Sequence, residues 1–184
     1  MKLLAACLLT AALAGCVSKP ANVEPVTPFN SATYLGKWYE IARLDHSFEK
    51  GLSRVSAEYS MRPDGGIKVI NRGFDSAKQA WKQSEGKAYF VGASDTAHLK
   101  VSFFGPFYGS YIVFDLDPAY QVSMVSGPDT SYLWILSRTP TIDAAVKARL
   151  VAKAKNLGYR TGELIFVDQA APTAGALDAS LLRR

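Results

Sequence analysis

The sequence predicts an all-β protein: an eight-stranded antiparallel up-and-down β-barrel with one α-helix after it, packed on the outer wall. Three observations carry this reading. Between residues 35 and 138, short runs rich in Val, Ile, Tyr, Phe and Thr recur at regular intervals, separated by turn residues. The connections are short and contain no helical pattern, which favours antiparallel neighbours over a parallel sheet. A single amphipathic stretch follows the last run.

The predicted strands are 36–44, 55–61, 66–75, 81–91, 98–104, 109–117, 120–126 and 132–138. Pro63-Asp64-Gly65-Gly66, Gly92-Ala93-Ser94-Asp95, Asp117-Pro118 and Gly127-Pro128-Asp129 supply turns between them. Leu99, Val101 and Phe103 share one strand face, with Lys100 and Ser102 on the other. Val55, Ala57, Tyr59 and Met61 oppose Ser56, Glu58 and Ser60 in the same way. In the third strand Ile67, Val69 and Asn71 oppose Lys68, Ile70 and Arg72, so neither face is fully apolar. Eight such strands can close around one small ligand. Alternation alone also leaves a dry β-sandwich open.

The helix is predicted over 140–157, with Thr139 as cap, Pro140 at the first helical position and Asp143 in the first turn, where it complements the dipole. Ile142, Val146, Leu150 and Leu157 form its apolar stripe, and Gly158 ends it. A short strand is expected at 164–167 and a disordered tail over 170–184.

Residues 1–15 have the layout of a secretory signal: Lys2, an apolar run too short to span a bilayer, then small residues. Leu13-Ala14-Gly15-Cys16 resembles the bacterial lipobox. That resemblance implies cleavage before Cys16 and acylation of Cys16, which would anchor the chain stably in a membrane. Val17, in place of the Asp that retains such lipoproteins at the inner membrane, implies lipid anchoring in the outer membrane, facing the periplasm. Loss of Cys7 with the signal leaves Cys16 as the sole cysteine, so the fold has no internal disulfide to rely on. Residues 16–33, with Pro20, Pro25 and Pro28, read as the lipidated Cys and an extended tether, and 34–169 as the folded domain.

The formal charge is +5, but the 21 basic residues are scattered singly rather than clustered. Such a surface has no nucleic-acid stripe and at most mildly attracts acidic lipid headgroups.

Leu35-Gly36-Lys37-Trp38-Tyr39-Glu40 resembles the Gly-x-Trp signature of the lipocalin family. Asp117-Pro118-Ala119-Tyr120 stands where that family has Asp-x-x-Tyr between two late strands, and Ser137-Arg138 matches its late Arg. Three signatures in order, followed by a helix, make the likeness strong. It is closest to bacterial outer-membrane lipocalins and runs from about Pro28 to Gln169. Val69-Ile70-Asn71-Arg72-Gly73, Phe104 to Gly109 and Tyr132 to Arg138 match further. The resemblance implies that Arg138 stacks on Trp38 beside Gly36 and stoppers one mouth of the barrel. It also implies fatty acids, lysophospholipids or related lipids as ligands.

Parity from Arg138 turns Leu136, Trp134 and Tyr132 inward. The ligand-lining candidates are Tyr59, Val69, Asn71, Phe90, Val101, Phe103, Ile112, Phe114, Tyr132 and Trp134, with Tyr111 and Val113 as a rival face to Ile112 and Phe114. Asn71 either fixes a carboxylate or headgroup or is a self-satisfied amide at a sheet edge.

His46 and His98 lie in no metal-ligand spacing, and no nucleophile motif is present. The expectation is therefore a carrier with no catalytic residues, no metal and no cofactor. A lipid-modifying enzyme and an envelope interaction module with an incidental cavity are the alternatives. A homodimer is compatible with the sequence, which does not specify an oligomeric state.

Overall fold

The computed structural model describes residues 17–170. The signal over 1–15, the lipidation site Cys16 and tail residues 171–184 lie outside the described residues. The strands are β1 (Gly36–Arg43), β2 (Leu52–Met61), β3 (Ile67–Asp75), β4 (Ala80–Phe90), β5 (His98–Phe104), β6 (Phe107–Leu116), β7 (Val122–Ser126), β8 (Leu133–Ser137) and β9 (Ile165–Phe166). A short helix α1 (Ser31–Tyr34) precedes them, and α2 (Ala144–Asn156) follows β8.

Each of β1 to β8 pairs antiparallel with its neighbour in sequence, and β1 also pairs with β8. That pairing closes a barrel, so the sandwich alternative falls away. Tyr39 opposes Ser56 on one side and Ser137 on the other. Beyond Tyr39, β9 takes over one edge of β1, setting Phe166 opposite Ala42 and Ile165 opposite Arg43.

Two apolar clusters result. Trp38, Tyr59, Val69, Ala88, Leu99, Val113, Val125 and Leu136 fill the inner one. Ile41, Ala42, Ile112, Phe114, Met124, Leu133 and Ile135 form the outer one, beneath α2. Leu150 and Ala154 of α2 are fully buried there, while Lys153 reaches Asp115 at 2.6 Å. One wall of the barrel is thus buried on both faces.

The helix starts later than its sequence pattern indicated. Asp143 is the N-cap, its carboxylate accepting from the amides of Ala145 and Val146, so it precedes the first turn rather than sitting in it. Thr139 donates instead to the Thr141 carbonyl and caps nothing. Strand β2 begins at Leu52, three residues early, through a bulge at Arg54, and Tyr120 belongs to the turn before β7.

The expected tether is a strap over most of its described length. Val23 is fully buried in the outer cluster and Phe29 is buried in the inner one. The Val26 amide donates to Val113, the Ala97 amide donates to Val26, and Phe29 donates to Asp95. Prolines keep this segment extended, but its apolar residues find partners on the barrel.

Because Leu150 joins α2 to Val23 and to the outer wall, Leu150→Ala is expected to cost about 2–5 kcal/mol. Urea denaturation followed by far-ultraviolet circular dichroism measures it.

Candidate functional site

The closed end of the barrel is organised by one guanidinium. Arg138 lies 3.9 Å from the Trp38 ring centroid, the stack that the family resemblance implies. Its nitrogens donate to the carbonyls of Lys37, Thr33, Tyr34 and Tyr120 at 2.8–3.3 Å. The Trp38 indole donates to Tyr34 at 2.8 Å. Gly36 has φ +91°, and a Cβ there would meet the Arg138 Nη1 at 3.4 Å. Asp117 accepts from the amides of Ala119, Gln121 and Val122, which folds the turn that presents Tyr120. The Tyr120 hydroxyl then accepts from the Asn30 amide at 2.9 Å, tying the strap to the stopper.

Just above this stopper lies a layer of buried hydroxyls. Tyr111 shares hydrogen bonds with Tyr34 at 2.9 Å and with Tyr59 at 2.8 Å, and Tyr34 shares another with Ser123 at 3.1 Å. Burial pushes the Tyr34 phenol up to about 12 and those of Tyr59 and Tyr111 well above their ordinary value. All three stay neutral and can both donate and accept.

A second polar group sits nearer the open end. A bulge between Glu40 and Ala42 turns both Glu40 and Arg43 away from the outer cluster. Arg43 donates to Glu40 at 2.7 Å and to the carbonyls of Glu49 and Leu52. The Trp134 indole donates to Glu49 at 3.0 Å, and Arg43 Nε is left without a hydrogen bond. Burial raises the Glu40 carboxyl to about 8; Glu49 pushes the same way, and Arg43 opposes both. Glu49 is also raised, chiefly by burial. At the rim, His46 stacks on Tyr132 at 4.0 Å and on Phe48 at 5.4 Å.

The candidates Tyr59, Val69, Phe90, Val101, Phe103 and Trp134 all belong to the inner cluster. Phe103 lies across Gly86, where a Cβ would come within 2.9 Å of its ring. Asn71 lies on the same face as Val69 and pairs with Ala57 and Ser84, so it is inside the sheet rather than at an edge. Tyr132 precedes β8 and lies at the rim. Ile112 and Phe114 are corrections. Both face α2 in the outer cluster, and the rival face, Tyr111 and Val113, is the inner one.

Sequence reasoning passed over Glu40, Arg43, Glu49, Tyr34 and Ser123. None of them belongs to a catalytic or metal-binding motif, and nothing in residue order marks a bulge. Among the described residues, no group of three His, Cys, Asp or Glu side chains is placed to hold a metal. A separate groove of about 510 Å³ lies on the outer wall, lined by Lys37, Arg54, Arg72, Lys82, Tyr39 and Trp81 among others. Its cationic lining differs from that of the interior.

Arg138→Lys keeps the charge but loses the planar stack and most of the carbonyl bonds, and is expected to cost about 2–4 kcal/mol in urea denaturation. A carboxyl raised in the folded state stabilises it fully below the unfolded pKa, and loses that contribution as pH climbs through the folded value. For Glu40 the window runs from the ordinary carboxylate range to about 8. Glu40→Gln should therefore gain stability relative to the parent between pH 5 and pH 8, read as the change in melting-temperature difference.

The lipocalin-like domain family model matches residues 29–169. Outer membrane lipoprotein Blc of Vibrio cholerae is 55% identical over 163 residues, covering 88% of this chain and 95% of that protein. Temperature-induced lipocalin-1 of Arabidopsis thaliana is 36% identical, covering 80% and 83%. Among solved structures, insecticyanin of the tobacco hornworm Manduca sexta superposes with a TM-score of 0.64 at 19% identity, covering 83% of this chain and 87% of that one. The closed barrel, its outer helix and the Arg138–Trp38 stopper agree with these matches, and the chain belongs to the lipocalin family.

Proposed function

We propose that this chain is a lipid carrier of the bacterial envelope, anchored through acylated Cys16 in the outer membrane and facing the periplasm. Its ligand is a fatty acid or a (lyso)phospholipid held inside the barrel. The observation that carries the reading is the inner wall itself. Val69, Phe90, Leu99, Val101, Phe103 and Val125 form an apolar face above a stoppered end, and the tyrosine hydroxyls and the Arg43–Glu40 contact break it at two levels. An acyl chain matches the first feature and a polar head the second.

Burying a dozen methylenes at about 0.8 kcal/mol each supplies roughly 10 kcal/mol gross. Association and ordering costs leave micromolar or tighter binding from water. The 55% identity to a protein named as an outer membrane lipoprotein supports the location, and the lipobox at Cys16 supports the anchor. Binding rather than catalysis follows from an interior whose ionisable groups are engaged with one another. Asn71, on the inner face beside Val69, is the group we assign to the ligand's carboxylate or headgroup.

Trp134 sits on the inner wall, so its fluorescence is expected to change on titration with fatty acid or lysophospholipid. Val101→Arg should abolish that change, and an unaltered isotherm in the variant would remove the assigned lining. Native mass spectrometry of the delipidated protein incubated with phospholipid checks the reading directly. Stoichiometric retention supports a carrier, turnover replaces it with a lipid-modifying enzyme, and neither outcome leaves an envelope interaction module.

A further inference from the structure

Among the described residues, the exposed large apolar side chains include a group at one end of the barrel, apart from Met61 and Val91 at the other end and Ile165 and Phe166 on β9. Phe48, Trp81, Phe104 and Phe107 are 61%, 59%, 80% and 79% exposed. Phe48 lies between β1 and β2, Trp81 at the start of β4, and Phe104 and Phe107 flank the turn between β5 and β6. All of these positions are at the open end, opposite Arg138. At the closed end, among the described residues, Met61 and Val91 are the exposed large apolar side chains.

The start of the described chain lies at the same open end. Ser18 Oγ donates to the Pro128 carbonyl, in the turn between β7 and β8, at 3.3 Å. The Ser18 carbonyl accepts from Ser110 Oγ at 2.6 Å. From there the strap runs down the outer wall to Phe29 near the stopper. Val17, the first of the described residues, follows Ser18 onto the open-end side of the barrel.

We propose that the open rim is a membrane-docking surface, with Phe48, Trp81, Phe104 and Phe107 entering the headgroup layer of a phospholipid bilayer and the mouth turned toward the lipid. The inference rests on the anchor at Cys16 proposed above, which places bilayer beside these residues. Charge at the rim is mixed, Lys50, Lys78 and Lys82 against Asp45, Asp75 and Asp129, so aromatic insertion rather than electrostatic attraction carries the contact. The aromatics stand on separate turns around an opening instead of on one flat face. Such a ring suits a deformable lipid layer, which can follow its contour.

The test places photoreactive p-benzoylphenylalanine at Phe104, at Phe107 and, for the opposite end, at Met61. The full chain is reconstituted in vesicles of phosphatidylethanolamine and phosphatidylglycerol. Phospholipid adducts, read by intact-protein mass, are expected at Phe104 and Phe107 at about tenfold the Met61 level. Phe104→Asp combined with Phe107→Asp should reduce adducts from a probe at Phe48, while the near-ultraviolet signal of the buried Trp38 reports an intact barrel. Equal adducts at Met61, no adducts at the rim, or rim adducts made with a second copy of the chain would each overturn the docking. Vesicle co-sedimentation reads the anchor separately: a chain that stays in the supernatant overturns both the anchor and the docking. Lipid retained inside the barrel by the double variant keeps the carrier reading distinct from the docked orientation.

Discussion

Everything inside this molecule depends on β1 bonding along both of its edges. A strand that pairs with β2 through Gly36 to Tyr39 and with β8 through Tyr39 to Arg43 converts a meander into a ring. Closure leaves the ring no free backbone edge, and it brings residues a hundred positions apart into contact. Lys37 and Arg138 meet for that reason, as do Gly36 and Arg138. The stopper is therefore a consequence of closure and also a lock on it. The guanidinium donates to carbonyls from α1, β1 and the turn before β7, and so ties three segments together at the barrel's narrow end.

The same strand explains which parts of the interior could be read from residue order. Strict alternation placed Trp134, Leu136, Val101, Phe103, Tyr59 and Val69 on the inner face, because β2, β3, β5 and β8 keep their parity over those positions. It failed where a wall is buried twice. Strand β6 has apolar residues on both faces, since one meets the inner cluster and the other meets α2, so hydrophobicity alone could not choose between Tyr111–Val113 and Ile112–Phe114. The bulge after Val113 adds to the difficulty by keeping Phe114 and Asp115 on the outer side while Leu116 returns to the inner cluster. The bulge in β1 acts in the same way on Glu40 and Arg43, three residues apart and joined by a 2.7 Å ion pair. Turn chemistry was more transparent: Asp117 and Gly36 each have one backbone task that few other residues can do.

The strap shows a different limit. Prolines and small polar residues suggested an extended tether, yet Val23 and Phe29 are buried and had no visible partner in the sequence. Their partners are strands and a helix far along the chain, and only the closed barrel creates the surface on which they pack. Composition reports how a segment prefers to run, whereas burial depends on what tertiary structure places beside it.

The polar groups inside carry the greater weight once the source of ligand is considered. A buried arginine–carboxyl contact such as Arg43–Glu40 offers little stability over apolar residues of similar volume, because desolvation offsets most of the attraction and raises the carboxyl. Hydroxyls of three tyrosines cost least when bonded to one another, as they are here. For a carrier that takes its lipid from water, the acyl chain would dominate affinity. For one that takes it from a bilayer, each methylene leaves one apolar medium for another, and the roughly 0.8 kcal/mol per methylene cancels. What remains is the difference between headgroup interactions at the membrane surface and those in the barrel. On the proposed reading, selectivity in that exchange would fall to Asn71, to the Arg43 guanidinium with its unbonded Nε, and to the tyrosine layer, rather than to the apolar wall that surrounds them.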